Sequence, residues 1–179
     1  VVSGHTTTIT ETAGLRLPIK SFNLAAFVSE PVKPLIDVIV NCPDLGVYLN
    51  QSDKGELVIG GAPDPGQSFR RDVKQNVFEE AVVTMLELFP AFRRLKLLRQ
   101  WGGVLDIAHD ATPIISATDI PGLFVSCGWW GGFKAVPAGG YTLAHLIATG
   151  QPHNVAAPFT LDRFNHLDFI VESGTTTAR

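Results

Sequence analysis

The sequence predicts an α+β fold, in which a mixed or antiparallel sheet and one long helix form a central domain. Two observations indicate this class. Most predicted strands follow one another without an intervening helix, and a strand-then-helix pattern stands at each end of the 179-residue chain. We therefore assign residues 19–120 to the sheet domain, and residues 1–18 and 121–179 to parts of a second domain.

The first third of the chain predicts strands. The opening letters VVSG are typical of the end of a buried strand, so we expect the chain to be the C-terminal part of something longer. Strands are predicted in IKSFNLAAFVSE, which Pro31 closes, and in LIDVIVNC, which Pro43 closes. A hairpin is predicted where VYLNQ and ELVIGG flank SDKG, with Gly55 at a positive φ.

Two long helices and three extended segments are predicted after the hairpin. Apolar residues recur at helical spacing in QNVFEEAVVTMLELFPAF until Pro90. Extended structure is predicted in RLKLLRQWGGVLDIA, TPIISAT and GLFVSCGW. A helix is expected over residues 139–148, with Gly150 as its left-handed cap. APFTLDRF predicts one more turn, and ESGTTTAR is expected to fray.

Composition excludes several classes of function. A net charge of −3 is not the basic footprint of a nucleic-acid-binding protein. No apolar run approaches the roughly 18 residues that would span a bilayer. Cys42 and Cys127 are too few for a disulfide framework and have no identifiable base partner, and the histidine spacing fits no metal site. We expect reduced thiols and a cytoplasmic protein without a metal.

The segment CGWWGGFKAVPAGGYTLAHLIATG is the first candidate site. A strand, glycines and a helix N-terminus in this order can bind an anion, although the spacing does not match the dinucleotide fingerprint. Its glycines either let a planar ligand approach the backbone or simply connect strand and helix. Lys134 is either a solvated surface lysine or, beside Phe133, a partner for a carboxylate.

The segment QWGGVLDIAHDATPIIS is the second candidate. A glycine pair inside a strand indicates a bulge or a close approach of backbone. Trp101 is either the wall of a pocket or part of the core. His109 and Asp110 would point to opposite faces of a strand, which disfavours an acid–base pair. His5, after the first strand end, either lines a nucleotide-binding crevice or serves as a cap or surface residue.

Four segments together carry a resemblance to a known family: SGHTTTITETAGLRLPI, KGELVIGGAPDP, LFPAFRRLKLLRQWGGVLDIAHDATPIIS and GLFVSCGWWGGFKAVPAGGYTLAH. They resemble the β subunits of heterotetrameric sarcosine oxidases, in the D-amino-acid oxidase-like flavoprotein superfamily. The resemblance covers nearly the whole chain. It departs in GWWGGFK, which is one residue shorter than the family's usual Gly-Trp-Gly-Thr-Gly-Gly-Phe-Lys.

The resemblance implies that the two ends are pieces of an FAD-binding Rossmann-type α/β domain, whose glycine-rich unit would lie upstream, and that residues 19–120 form the substrate domain. Lys134 matches the lysine that holds the substrate carboxylate, and Trp101 would form a pocket wall. The implied cofactor contacts are Ser3, Gly4, His5, Gly102, Gly103, Gly131, Gly132, Phe133 and Lys134.

The implied activity is the flavin-dependent demethylation of sarcosine to glycine, with formation of hydrogen peroxide and transfer of the one-carbon unit to tetrahydrofolate. FAD would be non-covalent, because Gly103 stands where the monomeric relatives carry the cysteine that links their FAD. FMN would be attached to a histidine upstream of this chain. The implied partners are sarcosine and the other subunits of a heterotetramer, with no nucleic acid and no membrane.

Two alternatives remain open at this point. One is the β subunit of a related secondary-amine dehydrogenase, such as one acting on proline. The other is a non-catalytic piece that only binds a partner subunit. In every case we expect the 179-residue piece alone to be inactive and to retain no flavin, because the upstream pyrophosphate site is missing.

Overall fold

The computed structural model describes residues 1–2 and 4–170. The predicted role of Ser3 and the predicted fraying of ESGTTTAR lie outside these residues. The chain forms two compact units: the terminal unit, Val1–Ser21 with Leu105–Arg179, and the sheet unit, Phe22–Val104. Each unit is described by itself.

The described residues contain both strands and helices, which confirms the predicted α+β class. The strands are β1 Ile19–Pro31, β2 Val40–Cys42, β3 Val47–Gln51, β4 Glu56–Gln67, β5 Leu97–Ala108, β6 Ile114–Ala117 and β7 Phe124–Cys127. The α-helices are α1 Thr6–Glu11, α2 Gln75–Leu88 and α3 Val136–Thr149. Short 3-10 helices cover Pro43–Leu45, Pro90–Arg94, Gly132–Ala135, Ala157–Phe159 and Leu161–Phe164.

A five-stranded sheet with strand order β2-β3-β4-β1-β5 forms the body of the sheet unit. The predicted hairpin is present: β3 pairs antiparallel with β4, and Asn50 lies opposite Val58. Gly55 in its turn has φ 96°, as the sequence predicts. Strand β4 also pairs antiparallel with β1. Because these pairings are antiparallel, short turns suffice to connect β2, β3 and β4.

One face of this sheet packs against α2, whose apolar spacing is as predicted. Phe27 of β1 is 1% exposed, and Leu49 and Leu57 are fully buried. Met85 and Ala81 of α2 join the same cluster. The helix ends at Leu88 because Pro90 cannot continue it.

The predicted strand LIDVIVNC is wrong over its first five residues, since β2 begins at Val40. The Gln51 side chain explains the difference. Its Oε1 accepts hydrogen bonds from Leu35 N–H at 2.8 Å and Ile36 N–H at 3.2 Å. Its Nε2 donates to Val32 O at 3.2 Å. Backbone groups that a strand would pair in a ladder are therefore satisfied by a side chain.

In the terminal unit, β6 and β7 form an antiparallel pair, in which Ile114 lies opposite Cys127. Val1 lies beside β7: its N donates to Phe124 O at 2.5 Å, and its O accepts from Ser126 N–H at 3.0 Å. This is the hydrogen-bond pattern of parallel strands. Val1 therefore lies alongside β7 in this pattern, and the predicted strand end in VVSG stays a prediction.

The second boundary differs from the predicted one, since the terminal unit resumes at Leu105 and not at residue 121. The Asp106 carboxylate explains this. Its Oδ2 accepts a hydrogen bond from Thr6 N–H at 2.9 Å, and its Oδ1 accepts one from Ser21 Oγ at 2.6 Å. Ala108 and Ile114 also pack in the same core cluster as Val125. These long-range contacts bind residues 105–120 to the terminal unit.

Candidate functional site

The GWWGGFK loop between β7 and α3 is shaped by two glycines at positive φ. Gly128 has φ 74° and Gly131 has φ 66°. Gly131 is the N-cap of the 3-10 helix Gly132–Ala135, which runs directly into α3. Helix α3 begins at Val136, three residues before the predicted start, with Pro137 in its first turn and Gly150 as the predicted left-handed cap at φ 72°. The loop therefore ends at a helix N-terminus.

Packing against Trp129 explains why two positions, one in the loop and one in α3, are glycine. A Cβ atom at Gly132 would lie 2.7 Å from Trp129 Cβ, and one at Gly139 would lie 2.6 Å from Cη2 and Cζ2 of the indole. The indole Nε1–H donates to Ser126 Oγ at 3.3 Å. Trp129 therefore spans from β7 to α3 and determines where the turn between them lies. The sequence reading assigned Gly132 to a cofactor, and it missed this internal contact.

The outer side of the same turn is open. A Cβ at Gly140 would meet no atom within 4 Å, and one at Gly131 would meet only Lys134 Nζ at 3.7 Å. Phe133 is 96% exposed. Lys134 is also exposed, and its Nζ donates to Gly131 O at 3.4 Å. The turn therefore presents an aromatic ring and a cation side by side.

These features fit the flavin ring that the resemblance implies. Open backbone at Gly131 and Gly140 leaves room for a planar group to approach, and Phe133 and the 41%-exposed Trp130 offer apolar surface. The N-terminus of α3 adds partial positive charge near the turn. The predicted contacts at Gly131, Phe133 and Lys134 are thus compatible with the exposed surface of the terminal unit, and they remain predictions.

The glycine pair of β5, in the sheet unit, consists of one constrained and one open position. A Cβ at Gly102 would lie 2.4 Å from Asn23 Oδ1 and 2.7 Å from Arg71 O, and Gly102 N–H donates to that carbonyl at 2.9 Å. A Cβ at Gly103 would meet nothing within 4 Å. Gly102 is therefore needed for packing, whereas Gly103 leaves backbone accessible to a ligand.

Trp101 lies in the wall of a groove and not in the core, which are the two positions that the sequence left open. It is 43% exposed, so it is not a core residue. The groove has a volume of about 800 Å³ and is also lined by Val28, Val58, Arg99 and Lys54. The carboxylates of Asp53 and Glu56 line the groove as well, so its charge is mixed and does not by itself select an anion. Its part in binding substrate stays a prediction.

His5 occupies the N-cap position of α1, but its side chain makes no capping hydrogen bond. Thr6 N–H is held instead by Asp106, which is 5% exposed. Gly4 and His5 belong to the terminal unit, as do residues 131–134, whereas residues 101–103 belong to the sheet unit. The sequence reading missed Asp106; a single carboxylate inside the apolar run VLDIA was the available signal.

Asp110 binds Arg163 and takes no part in a pair with His109. Arg163 Nε donates to Asp110 Oδ2 at 2.8 Å, its Nη2 donates to Oδ1 at 3.0 Å, and both side chains are less than 5% exposed. Burial raises the pKa of Asp110, but the Arg163 hydrogen bonds and charge outweigh it and leave the pKa below its usual value. The His109 ring instead lies 5.6 Å from the Phe169 ring.

Both cysteines are free thiols, of which Cys127 is buried and Cys42 is partly buried. Burial, with a smaller effect of the Asp106 charge, raises the pKa of Cys127 to about 12, so its thiol is protonated at neutral pH. Within residues 1–2 and 4–170, no group of three or more His, Cys, Asp or Glu side chains is placed to hold a metal ion. In the same part of the chain, no helix has the length and apolar character to cross a membrane.

Comparison with known proteins gives the class. Residues 3–146 match the family described as FAD dependent oxidoreductase. The chain therefore belongs to the FAD-dependent oxidoreductase family.

Two curated relatives indicate a more specific group within this family. The chain is 48% identical over 174 residues to sarcosine oxidase subunit beta of Rhodobacter capsulatus, a match covering 97% of this chain and 42% of that protein. It is 44% identical over 173 residues to sarcosine oxidase subunit beta of an Arthrobacter species, covering 96% and 43% of the two chains. The resemblance to these subunits is thus confirmed, and the chain spans less than half the length of these relatives.

Solved structures agree on the fold. The crystal structure of L-proline dehydrogenase from P. horikoshii aligns with a TM-score of 0.83 at 24% identity, covering 93% of this chain and 47% of that one. Glycine oxidase from Geobacillus kaustophilus aligns with a TM-score of 0.79 at 23% identity, covering 91% and 45%. At such identities the likeness establishes the fold and not the substrate.

Proposed function

We propose that the longer protein containing this chain is an FAD-dependent amine oxidoreductase that demethylates sarcosine to glycine. The observation that carries the proposal is the turn at residues 131–134, where an exposed lysine stands beside an almost fully exposed phenylalanine. The names of the relatives indicate the substrate, because two proteins more than 40% identical to this chain are sarcosine oxidase β subunits.

Lys134 would bind the carboxylate of the substrate. A charge-assisted hydrogen bond of this kind contributes about 1.5–3 kcal/mol, and it would fix which end of the amino acid faces away from the reacting carbon. Its weak bond to Gly131 O, at 3.4 Å, is a contact that a carboxylate can replace at little cost. Lys134 therefore orients the substrate and takes no proton from it.

In the terminal unit, Phe133 and Gly131 would contact the flavin ring, and Gly4 and His5 would border the dinucleotide. In the sheet unit, Gly103 is proposed separately as a flavin contact, on the strength of the family resemblance. FAD, when bound, would supply the two-electron oxidation of the amine. Because Gly103 has no side chain, it cannot form a covalent link, and we propose that FAD is held without one. Residues 1–18 and 121–179 are proposed as parts of the FAD domain and residues 19–120 as the substrate domain; the compact terminal unit itself resumes at Leu105.

The proposal extends to the assembly. It includes FMN attached through a histidine outside this chain, hydrogen peroxide as a product, transfer of the one-carbon unit to tetrahydrofolate, and other subunits of a heterotetramer in the cytoplasm. The word subunit in the relatives' names supports the assembly, whereas the FMN, the peroxide, the one-carbon transfer and the cytoplasm are carried over from the family resemblance. The present chain alone is proposed to be inactive and unable to retain flavin.

The test uses the full-length protein purified with its partner subunits. Under anaerobic conditions, sarcosine should bleach the flavin absorbance, and readmitted oxygen should yield hydrogen peroxide. Proline serves as the comparison substrate. Faster bleaching by proline than by sarcosine would favour the proline dehydrogenase alternative, and bleaching by neither would refute the proposed oxidation of either amine.

A further inference from the structure

The first half of β5 and the 3-10 helix before it form a surface of strong positive charge. Residues 88–105 contain four basic side chains and no Asp or Glu, although the whole chain has a net charge of −3. All four are exposed: Arg93, Arg94, Lys96 and Arg99. We call these four residues, with Leu98 and Trp101, the basic edge. It lies wholly within the sheet unit.

The cations of the basic edge form no ion pair within the described residues, although three carboxylates lie nearby: Glu30 Oε1 accepts from Lys96 N–H at 3.1 Å, and Asp53 and Glu56 line the same groove as Arg99. The described residues contain ion pairs for Arg70, Lys74, Arg163 and His166, and none for Arg93, Arg94, Lys96 or Arg99. The four cations still outnumber these three carboxylates, so the edge keeps an excess of positive charge. An anionic partner would therefore be attracted to this edge, and salt would weaken that attraction.

The backbone of the basic edge is also able to accept a partner. Strand β5 is at one end of the strand order, so its outer side has no neighbouring strand within the described sheet. The backbone carbonyl of Lys96 points toward β1, where it accepts a hydrogen bond from Glu30 N–H at 2.8 Å, while the Lys96 side chain is exposed. Gly102 N–H donates to Arg71 O at 2.9 Å, which closes the far end of the edge. The open stretch thus covers the first half of the strand.

Exposed apolar side chains lie among the charges. Leu98 is 65% exposed and Trp101 is 43% exposed. Charged residues on an edge strand can serve only to prevent aggregation. Exposed leucine and tryptophan side chains do not serve that role, so they point to a different use of this surface. A mixture of charge, apolar side chains and open backbone is typical of a surface that binds an extended peptide segment by strand addition.

We propose that the basic edge binds an extended acidic segment of another subunit, which would lie alongside the first half of β5. The segment's carboxylates would pair with Arg93, Arg94, Lys96 and Arg99, and its apolar side chains would cover Leu98. Such a segment fits better than nucleic acid, since the chain as a whole is acidic and would repel a polyanion beyond this edge. The assembly proposed above supplies the source of the segment, but the binding does not depend on sarcosine oxidation.

The experiment measures the binding of a fluorescein-labelled peptide of alternating glutamate and valine to the full-length protein, by fluorescence anisotropy. Wild type should bind it, with affinity falling about tenfold or more between about 20 mM and about 200 mM salt. The R94E/K96E variant should lose about tenfold in affinity at low salt. The R16E/K20E variant makes the same charge change on exposed residues elsewhere and should stay within about twofold of wild type.

Co-expression with the partner subunits provides the second readout, since R94E/K96E should reduce their recovery in the purified complex and R16E/K20E should not. Equal affinity of R94E/K96E and wild type for the peptide would overturn the proposal. Tighter binding of duplex DNA or of anionic lipid vesicles than of the acidic peptide would also overturn it. Sarcosine-dependent flavin bleaching, measured on the same preparations, reports separately on the proposed oxidation.

Discussion

The indole of Trp129 lies so close to Gly139 that a Cβ atom at position 139 would stand 2.6 Å from its Cη2 and Cζ2 atoms. This contact joins the loop after β7 to the first half of α3. Because Gly132 contacts the Cβ of the same tryptophan, one side chain holds both ends of the turn that carries Phe133 and Lys134. The exposed candidate residues thus depend on a buried glycine–tryptophan contact.

Gly139→Ala is expected to destabilise the full-length protein. Alanine is a better helix former than glycine by about 1 kcal/mol, but the clash with Trp129 should cost about 1–3 kcal/mol and displace the indole. Gly140→Ala is the matched control, since its Cβ would meet nothing within 4 Å in the same helix. Thermal unfolding should therefore give a lower Tm for the first variant and an unchanged or higher Tm for the second. Equal shifts would argue against a role for the Trp129 contact.

The glycine pair of β5 should show a similar contrast. Gly102→Ala would press a methyl group on Asn23 Oδ1 and on the Arg71 carbonyl, at 2.4 and 2.7 Å, so its Tm should fall. Gly103→Ala has free space and should leave the Tm nearly unchanged. If Gly103 contacts the flavin, this variant should instead lower the FAD content of the purified protein. If both variants keep their FAD, Gly103 is not part of the cofactor site.

The two cysteines should differ in reactivity. Cys127 is 3% exposed with its pKa raised to about 12, whereas Cys42 is only partly buried. A thiol reagent at neutral pH should therefore label Cys42 and spare Cys127 in the native protein, and label both after denaturation. Rapid labelling of native Cys127, read by mass spectrometry of the peptide, would contradict its burial.

The same raised pKa has a consequence for stability. The folded protein keeps the Cys127 proton above pH 9.0, the ordinary pKa of a cysteine thiol, at which the unfolded chain begins to lose it. The contribution is fully present below this pH and is lost as the pH rises from about 9 toward about 12. A Cys127→Ala variant should lose less stability than wild type over this range.

Local patterns predicted most of the elements. The hairpin follows from SDKG between two alternating segments, and α2 follows from apolar spacing that ends before Pro90. The strand LIDVIVNC failed because the Gln51 side chain, distant in sequence, satisfies its first N–H groups. The sequence did not indicate that the compact terminal unit resumes at Leu105, because this depends on the Asp106 carboxylate reaching Thr6 and Ser21.

The candidate site was predictable only in part. Resemblance to a family indicated the turn at residues 131–134 and the pair at 102–103. It could not indicate that Gly102 is required by Asn23 and Arg71, or that Gly132 and Gly139 are required by Trp129. Such reasons depend on contacts between segments, and periodicity and composition do not encode those contacts directly.

The central claim is that Lys134 holds the carboxylate of the substrate. Lys134→Met keeps most of the apolar stem and removes the charge, so FAD content should change little. Loss of a charge-assisted hydrogen bond worth about 1.5–3 kcal/mol should lower kcat/KM for sarcosine about ten- to a hundredfold. Lys33→Met, at another exposed lysine, should leave kcat/KM unchanged.

The most direct measurement compares kcat/KM for sarcosine and for a secondary amine that lacks the carboxylate, in wild type and Lys134→Met at equal flavin loading. We predict a large loss for sarcosine and a loss of less than about threefold for the uncharged amine. Equal losses for the two substrates would show that Lys134 serves the flavin or the fold, and would contradict its assignment to the substrate carboxylate.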